Sequence, residues 1–469
     1  MLYRSTRSEL TVSGPEAILQ GIAPDGGLFV PASIPTLPWS DYLACDYREL
    51  ASVMLSLFLP EFKEELPDMI HQAYRYFPKE VAPVRSFQDT ALLELFHGPT
   101  LAFKDYALQL LPLLMRASAD RLERREIITI LTATSGDTGK AAMNAFSGVE
   151  RTEVIVFYPD GGVSPIQELQ MLTETADNLV AFALEGNFDD AQRGVKTLFR
   201  DQDFCETMAR RGRHLGSANS INIGRLLPQM VYYVHAYLEL VRTARIQPGE
   251  SMDVSVPTGN FGNILSAIYC QAMGLPIERI ICASNQNHIL SDFLATGRYD
   301  TRRDLLRSSS PSMDILVSSN LERYLDWLAP KRVRDVMEEL SRTGVFTWPD
   351  PMPLFADWAD ETSVSDTIRM VAETHDMVLD PHTAIAWAVG ERLRSSNYLL
   401  VVATASPYKF PQKVLSSLGQ SGAQAEDLAR ISHTPVPQAI EDLSRMDQKK
   451  RQVVTQSMMA QAIRRWMDD

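Results

Sequence analysis

Along the chain, short β-branched runs alternate with stretches of helical spacing, and the alternation starts near residue 90. The run Ala91-Leu92-Leu93-Glu94-Leu95-Phe96 predicts a buried strand, and residues 126–132 predict a second. Further strands are expected over 154–157, 179–184, 253–256, 279–283 and 398–403. Between them, helical patterns begin at 106–111 and occupy 140–146 and 166–175. A long amphipathic helix opens at 217–225 and runs to Tyr237, and another ends near Met273. Strands alternating with helices imply a mainly parallel sheet that places function at the carboxyl ends of its strands. Residues 1–85 follow a different pattern. There Ala23-Pro24-Asp25-Gly26-Gly27 forms a turn into the short apolar Leu28-Phe29-Val30, and helical periodicity appears over 50–59 and 66–76. This reads as a separate mixed unit. No internal repeat is visible, and the Ser-rich stretch 308–312 is expected to be a surface loop.

Candidate chemistry lies where the strand patterns stop. Lys104 follows the first strand, in His97-Gly98-Pro99-Thr100-Leu101-Ala102-Phe103-Lys104-Asp105, at the entry to an apolar helix. Desolvation there favours the free amine, which can add to a carbonyl; the alternative is a lysine reaching outward from a first helical turn. Thr258-Gly259-Asn260-Phe261-Gly262-Asn263 sits between strand and helix, so it is either a tight turn or a cradle of backbone N–H groups for a phosphate. It lacks the Gly-Lys-Ser/Thr of a nucleotide loop and the third glycine of a dinucleotide fingerprint. Thr134-Ser135-Gly136-Asp137-Thr138-Gly139 suits a bound carboxylate or a simple cap. Ser217 to Arg225 gathers amide, hydroxyl and guanidinium groups at a helix start, either as caps or as a second anion site. Asp380-Pro381-His382-Thr383 predicts a helix start, with Asp380 as cap and Pro381 at the first position. The histidines show no ligand spacing, so no metal is expected.

Composition narrows the partners. Hydrophobic residues at 45% and charged residues at 22% are ordinary for a globular protein, and 469 residues suggest two or three domains. A net charge of −14 argues against nucleic acid and anionic membranes, while leaving room for a small anionic substrate bound by local cations. Cys45, Cys205, Cys270 and Cys282 show no close pairing, and no signal core or membrane-length run is visible. A reducing, cytoplasmic setting is expected.

Taken together, a lysine at a helix entry and three polar loops at strand ends point to a cofactor carrying an aldehyde and a phosphate. The motif at Lys104, the loops 132–139, 217–225 and 256–263, and the stretches 310–315, 380–384 and 404–410 resemble the fold-type II enzymes that use pyridoxal 5′-phosphate (PLP). Within them they resemble the bacterial and fungal threonine synthases. Tyr3-Arg4-Ser5-Thr6-Arg7 and residues 21–29 are similar to the family's opening, so the resemblance covers nearly the whole chain. It implies an α/β chain with the tryptophan synthase β-like architecture, made of two parallel-sheet domains and an N-terminal mixed domain. The expected divisions are 1–85, then 86–210 with the lysine and substrate loop, then 211–469 with the cofactor-phosphate loop. It implies that Lys104 bonds the cofactor and later carries protons. Gly259, Asn260, Phe261, Gly262 and Asn263 would hold the cofactor phosphate, with Thr404 opposite the pyridine nitrogen. Ser135, Gly136, Asp137 and Thr138 would take the substrate carboxylate or the cofactor's ring hydroxyl, and Asn219, Ser220, Asn222 and Arg225 the substrate's own phosphate. The implied reaction turns O-phospho-L-homoserine and water into L-threonine and phosphate. A lyase giving 2-oxobutyrate and ammonia from the same substrate, a dehydratase or sulfhydrylase of this fold, and a non-catalytic protein of this fold are the rivals. Either a monomer or a homodimer is compatible with the acidic, helix-rich chain.

Overall fold

The β-branched runs become strands of two sheets in the computed structural model, which describes residues 1–134 and 136–468. The larger sheet has six strands, in the order Phe355–Trp358, Ile277–Ser284, Met252–Pro257, Tyr398–Ala403, Thr90–Glu94 and Val84–Ser86. Its neighbours run parallel except for the last pair, an antiparallel edge. The smaller sheet has five strands, all parallel: Gln452–Val454, Leu179–Leu184, Thr152–Pro159, Ile127–Ala133 and Arg213–Gly216. Every residue of Met252–Pro257, Tyr398–Ala403, Thr152–Pro159 and Leu179–Leu184 is buried. Continuous burial of this kind follows from helices covering both faces of a parallel sheet.

Ahead of these sheets, Leu2–Ser5, Thr11–Ser13 and Phe29–Pro31 form a small antiparallel sheet. The helix Tyr47–Phe58 follows, opened by a reciprocal cap in which Asp46 accepts from the Glu49 amide while Glu49 accepts from the Asp46 amide. Its buried Leu50, Ala51, Met54, Leu55 and Phe58 fall on one stripe, the spacing that drives an amphipathic helix onto a core.

Sheet membership cuts across the divisions expected at 86 and 211. Thr90–Glu94 pairs with Tyr398–Ala403 in the larger sheet, whereas Arg213–Gly216 pairs with Ile127–Ala133 in the smaller one. Gln452–Val454 returns from the far end of the chain to the edge beside Leu179–Leu184. Hydrophobic periodicity identifies a strand but carries no information about its partner. Behind that edge strand, Val454, Met459 and Ile463 pack into one core with Leu184, Val195, Leu198 and Phe204. Among the described residues, no helix is long and apolar enough to cross a membrane.

The Ser-rich stretch expected on the surface is instead partly buried. Ser310 is fully buried, and Asp314 accepts from Ser308, Asn285 and Asn287, closing the stretch into a rigid loop. Serine signals polarity, not exposure, and internal acceptors satisfy the hydroxyls here.

Candidate active site

Four segments converge at the cleft between the two sheets, the first of them a pair of strand ends. Beyond Thr90–Glu94 the chain continues alongside the segment after Tyr398–Ala403. Leu95 N donates to Ala403 O, Phe103 N to Thr404 O at 2.9 Å, and Ala102 bridges Ala405. This ladder fixes Lys104 at the start of the short helix Asp105–Leu108 and sets Thr404 beside it. Asp105, the polar neighbour in sequence, does not touch the amine. Its buried carboxylate accepts from the Thr100 amide and hydroxyl at 2.8 and 2.7 Å, and burial pushes its acid up to about 6 against those bonds.

The Lys104 side chain is 11% exposed, and its Nζ lies 3.3 Å from Asp137 Oδ2 and 3.2 Å from Ser312 Oγ. Burial lowers its pKa from the usual lysine value. Asp137 opposes that shift, while Lys409 and Arg225 reinforce it. The desolvated amine expected from sequence is therefore what the fold builds.

Asp137 comes from the smaller sheet. After Ile127–Ala133, Thr134 Oγ1 accepts from Gly136 N and Gly139 N, tightening the turn into the helix Asp137–Phe146. That helix begins three residues earlier than its expected start at 140, so Asp137 and Thr138 lie in its first turn. Gly136 sits at φ +130°, and a Cβ there would meet the Gln167 side chain at about 2.4 Å, so glycine is required. Gln167 Nε2 donates to Asp137 Oδ1 at 2.9 Å, and Lys409 Nζ lies 2.6 Å from the same oxygen. Burial would raise the Asp137 carboxyl, but Lys409 and Lys104 outweigh it and hold it well below the usual range. A carboxylate so firmly ionised accepts hydrogen bonds and would repel a second carboxylate brought beside it. Ser135 lies outside the described residues, and Thr138 is half-buried.

The loop after Met252–Pro257 has the form of an anion cradle. Phe261 is left-handed at φ +62°, which turns the chain into the helix Gly262–Ala272. Among the described residues, the amides of Gly259, Asn260, Phe261, Gly262 and Asn263 find no protein acceptor. Asn263 Nδ2 is buried without a partner, while its Oδ1 accepts from Tyr232 and Tyr233 at 2.5 and 2.7 Å. The carbonyls face the other way: Gly259 O accepts from Ser318 Oγ, and Asn260 O from the amide and side chain of Asn320. A Cβ on Gly259 would stand 2.7 Å from Ser312 O, so this loop and the Ser308–Asp314 loop interlock.

The fourth segment, after Arg213–Gly216, adjoins the cradle. Ser220 Oγ and Asn260 Oδ1 both bond Ser319 Oγ, at 3.1 and 3.2 Å. Asn219 Oδ1 accepts from Thr132 Oγ1 at 2.5 Å. Arg225 is 3% exposed, and one guanidinium nitrogen donates to Ala218 O. Its Nε has no partner, and among the described residues no carboxylate pairs with it. Burial pulls its pKa down to about 10. Asn222, expected to bind the substrate phosphate, has a structural task instead. Its Nδ2 donates to Ile18 O and Ser217 O, and its Oδ1 caps the helix Ile223–Arg242 at Gly224 N. Caps and anion sites draw on the same residue types, which is why sequence alone leaves the two readings open. Asp380 caps the helix Pro381–Leu393 as expected, and His382 Nδ1 pairs with it at 2.8 Å.

Sequence reasoning missed three residues of the site: Ser312, Gln167 and Lys409. Ser312 and Lys409 fell within the resembling stretches 310–315 and 404–410, which was a usable signal. Gln167 carried none beyond its place in a helix-start pattern with Ser164.

The family model for the threonine synthase N terminus matches residues 2–74, and that for the threonine synthase C-terminal region matches residues 383–465. Threonine synthase-like 1 of Homo sapiens is 40% identical over 430 residues, which is 86% of this chain and 58% of that protein. The chain thus spans somewhat under two thirds of that relative's length. Threonine synthase of Pseudomonas aeruginosa is 38% identical over 457 residues, covering 92% of this chain and 93% of the relative. The PLP-bound threonine synthase from Brucella melitensis superposes with a TM-score of 0.88 at 35% identity, over 99% of both chains, and shares this fold-type II architecture. The chain belongs to the threonine synthase family.

Proposed function

We propose that this chain is a PLP-dependent threonine synthase, which converts O-phospho-L-homoserine and water into L-threonine and inorganic phosphate. The observation that carries the reading is Arg225, a guanidinium buried without a carboxylate among the described residues, on the segment whose Ser220 is tied through Ser319 to Asn260 of the cradle. An unpaired buried charge is costly unless an anion joins it, and we assign that anion to the substrate, leaving the cradle at Gly259–Asn263 to the cofactor. Two phosphoryl sites suit a phosphorylated substrate together with a phosphorylated cofactor.

The residues present fit PLP. The acceptor-free amides and the orphaned Asn263 Nδ2 supply donors for a phosphate at a helix N-terminus. Lys104 supplies a dry amine for the aldehyde, and buried Thr404, whose backbone pairs with Phe103 next to Lys104, offers a neutral hydroxyl as partner for the ring nitrogen. When bound, the cofactor takes up the electron pair left at the substrate's Cα once a proton departs.

The chain's own residues do the rest. Lys104, held with little proton affinity, removes the proton at Cα and returns it later, and a base used repeatedly near neutral pH needs this environment. Asp137 with Gln167 orients the ring-hydroxyl side. Arg225 with Asn219 and Ser220 binds the substrate phosphate and stabilises the charge that grows on it as it leaves. Closure over the bound substrate controls when water reaches the reacting carbon. Four free cysteines support a reducing, cytoplasmic setting, and either a monomer or a homodimer accommodates a site built within one chain.

The test is incubation with PLP and O-phospho-L-homoserine, assaying phosphate and amino acid together. Equal amounts of threonine and phosphate support the reading. Phosphate with 2-oxobutyrate and ammonia would make the chain a lyase, and no phosphate would defeat both. Lys104→Ala is expected to lower turnover by roughly a thousandfold or more.

A further inference from the structure

Two lysines compete for one carboxylate in this cleft, and they do so unequally. Lys409 has a fully buried side chain; its Nζ lies 2.6 Å from Asp137 Oδ1 and 2.9 Å from Thr100 O. Lys104 lies 3.3 Å from the other Asp137 oxygen and shares its environment with the Ser312 hydroxyl. We propose that Lys409 is a positioning residue: as the standing cation on Asp137, it leaves Lys104 as the amine of the pair that gives up its proton.

The charge balance of the cleft supports this. Lys409 and Arg225 bear on Lys104, Lys409 also bears on Lys140, and Asp137, Asp105 and Glu174 are the carboxylates that face these cations. With every group ionised there is one cation too many, in a dry site where an excess charge is strongly disfavoured. Arginine does not give up its proton in such settings. Lys140 is locked to Glu174 at 2.5 Å, and Asn144 donates to the same carboxylate oxygen. Lys409 spends its charge on two close acceptors. Lys104 has the longest ion pair and the greatest access to solvent, so releasing its proton balances the cleft at least cost. Without the Lys409 charge, Asp137 would turn to Lys104 as its lysine partner and strengthen that lysine's hold on its proton.

The inference rests on Lys104 being the reacting amine of the proposed function, yet its test needs no turnover. The full-length chain, freed of bound aldehyde with hydroxylamine, is labelled with acetic anhydride across a pH series. The Lys104 peptide is then read by mass spectrometry. The parent's labelling midpoint is expected well below the ordinary lysine value of about 10.4. Lys409→Met is expected to raise it by about 1–2 units, cutting the free amine near neutral pH by about 10- to 100-fold. Lys409→Arg, which keeps the charge, is expected to restore the parent midpoint. A folded Lys409→Met protein with the parent midpoint would overturn the proposal, as would an Arg variant displaced as far as Met. An ordinary midpoint for Lys104 in the parent would also overturn it, and that measurement depends on no variant folding. Failure of the function reading shows separately, as missing threonine and phosphate while the Lys104 midpoint stays displaced.

Discussion

Arg225 and Asn222 are three residues apart and made of the same polar vocabulary, yet the fold gives them opposite tasks. Asn222 spends every hydrogen-bonding atom on the backbone, while Arg225 keeps a donor in reserve. Arg225→Gln is expected to raise KM for the phosphorylated substrate by about 10- to 100-fold, the worth of a charge-assisted hydrogen bond. Steady-state kinetics with phosphorylated and unphosphorylated homoserine esters would check it. His235 makes a separate prediction. It is packed edge-on against Tyr47 at 5.2 Å, and burial lowers its pKa to about 4, below the unfolded value of about 6.5. Its neutral form therefore contributes stability above pH 6.5, and that contribution is lost as pH falls through 4. Relative to the parent, His235→Phe should gain up to about 3 kcal/mol between those limits, seen as urea midpoints converging or crossing toward pH 4. Asp105, whose acid is raised to about 6, contributes in the opposite sense, losing stability as pH rises through 6. The comparison must therefore be made against the parent at each pH.

At the scale of elements, the helix Leu321–Leu328 fastens the N-terminal sheet to both anion loops. Arg4 pairs with Asp326, and Arg7 and Thr6 bond Glu322, while fully buried Arg323 donates to Phe29 O, Ser220 O and Ile221 O. Just ahead of that helix, Ser318 and Asn320 hold the carbonyls of Gly259 and Asn260. Arg323→Met removes the donor from three carbonyls, the one at Phe29 fully buried, and is expected to cost about 3 kcal/mol, measured by denaturant unfolding. It should also weaken phosphate binding, because it frees the segment at Ser220. The central strands were legible in the sequence because burial on both faces leaves a plain apolar signature, as at Met252–Pro257 and Tyr398–Ala403, whereas helices such as Leu321–Leu328, Val333–Thr343 and Glu361–His375 were not anticipated. Nor was the interior position of Ser310, since internal acceptors such as Asn285 become neighbours only after folding. Lys409 stayed unassigned for a related reason. Its two acceptors, Asp137 and Thr100, are hundreds of residues away in sequence.

For the molecule as a whole, the smaller sheet is completed by the last part of the chain, which no local pattern announces. Ending the chain at Lys450 would remove Gln452–Val454 and the helix Met459–Asp468, uncovering the apolar surface beneath Val454, Met459 and Ile463. At about 1.5–3 kcal/mol for each buried side chain, a loss of roughly 5 kcal/mol is expected. It would be read as a lower melting temperature and new protease cleavage between Leu184 and Arg210. The interlock of Gly259 with Ser312 has a practical consequence for redesign. No side chain fits at that position without driving a carbonyl aside, so the floor of the cleft cannot be reshaped by enlarging it. The side chains of Asn219, Ser220 and Arg225 remain open to change, which makes them the place to mutagenise for altered leaving groups.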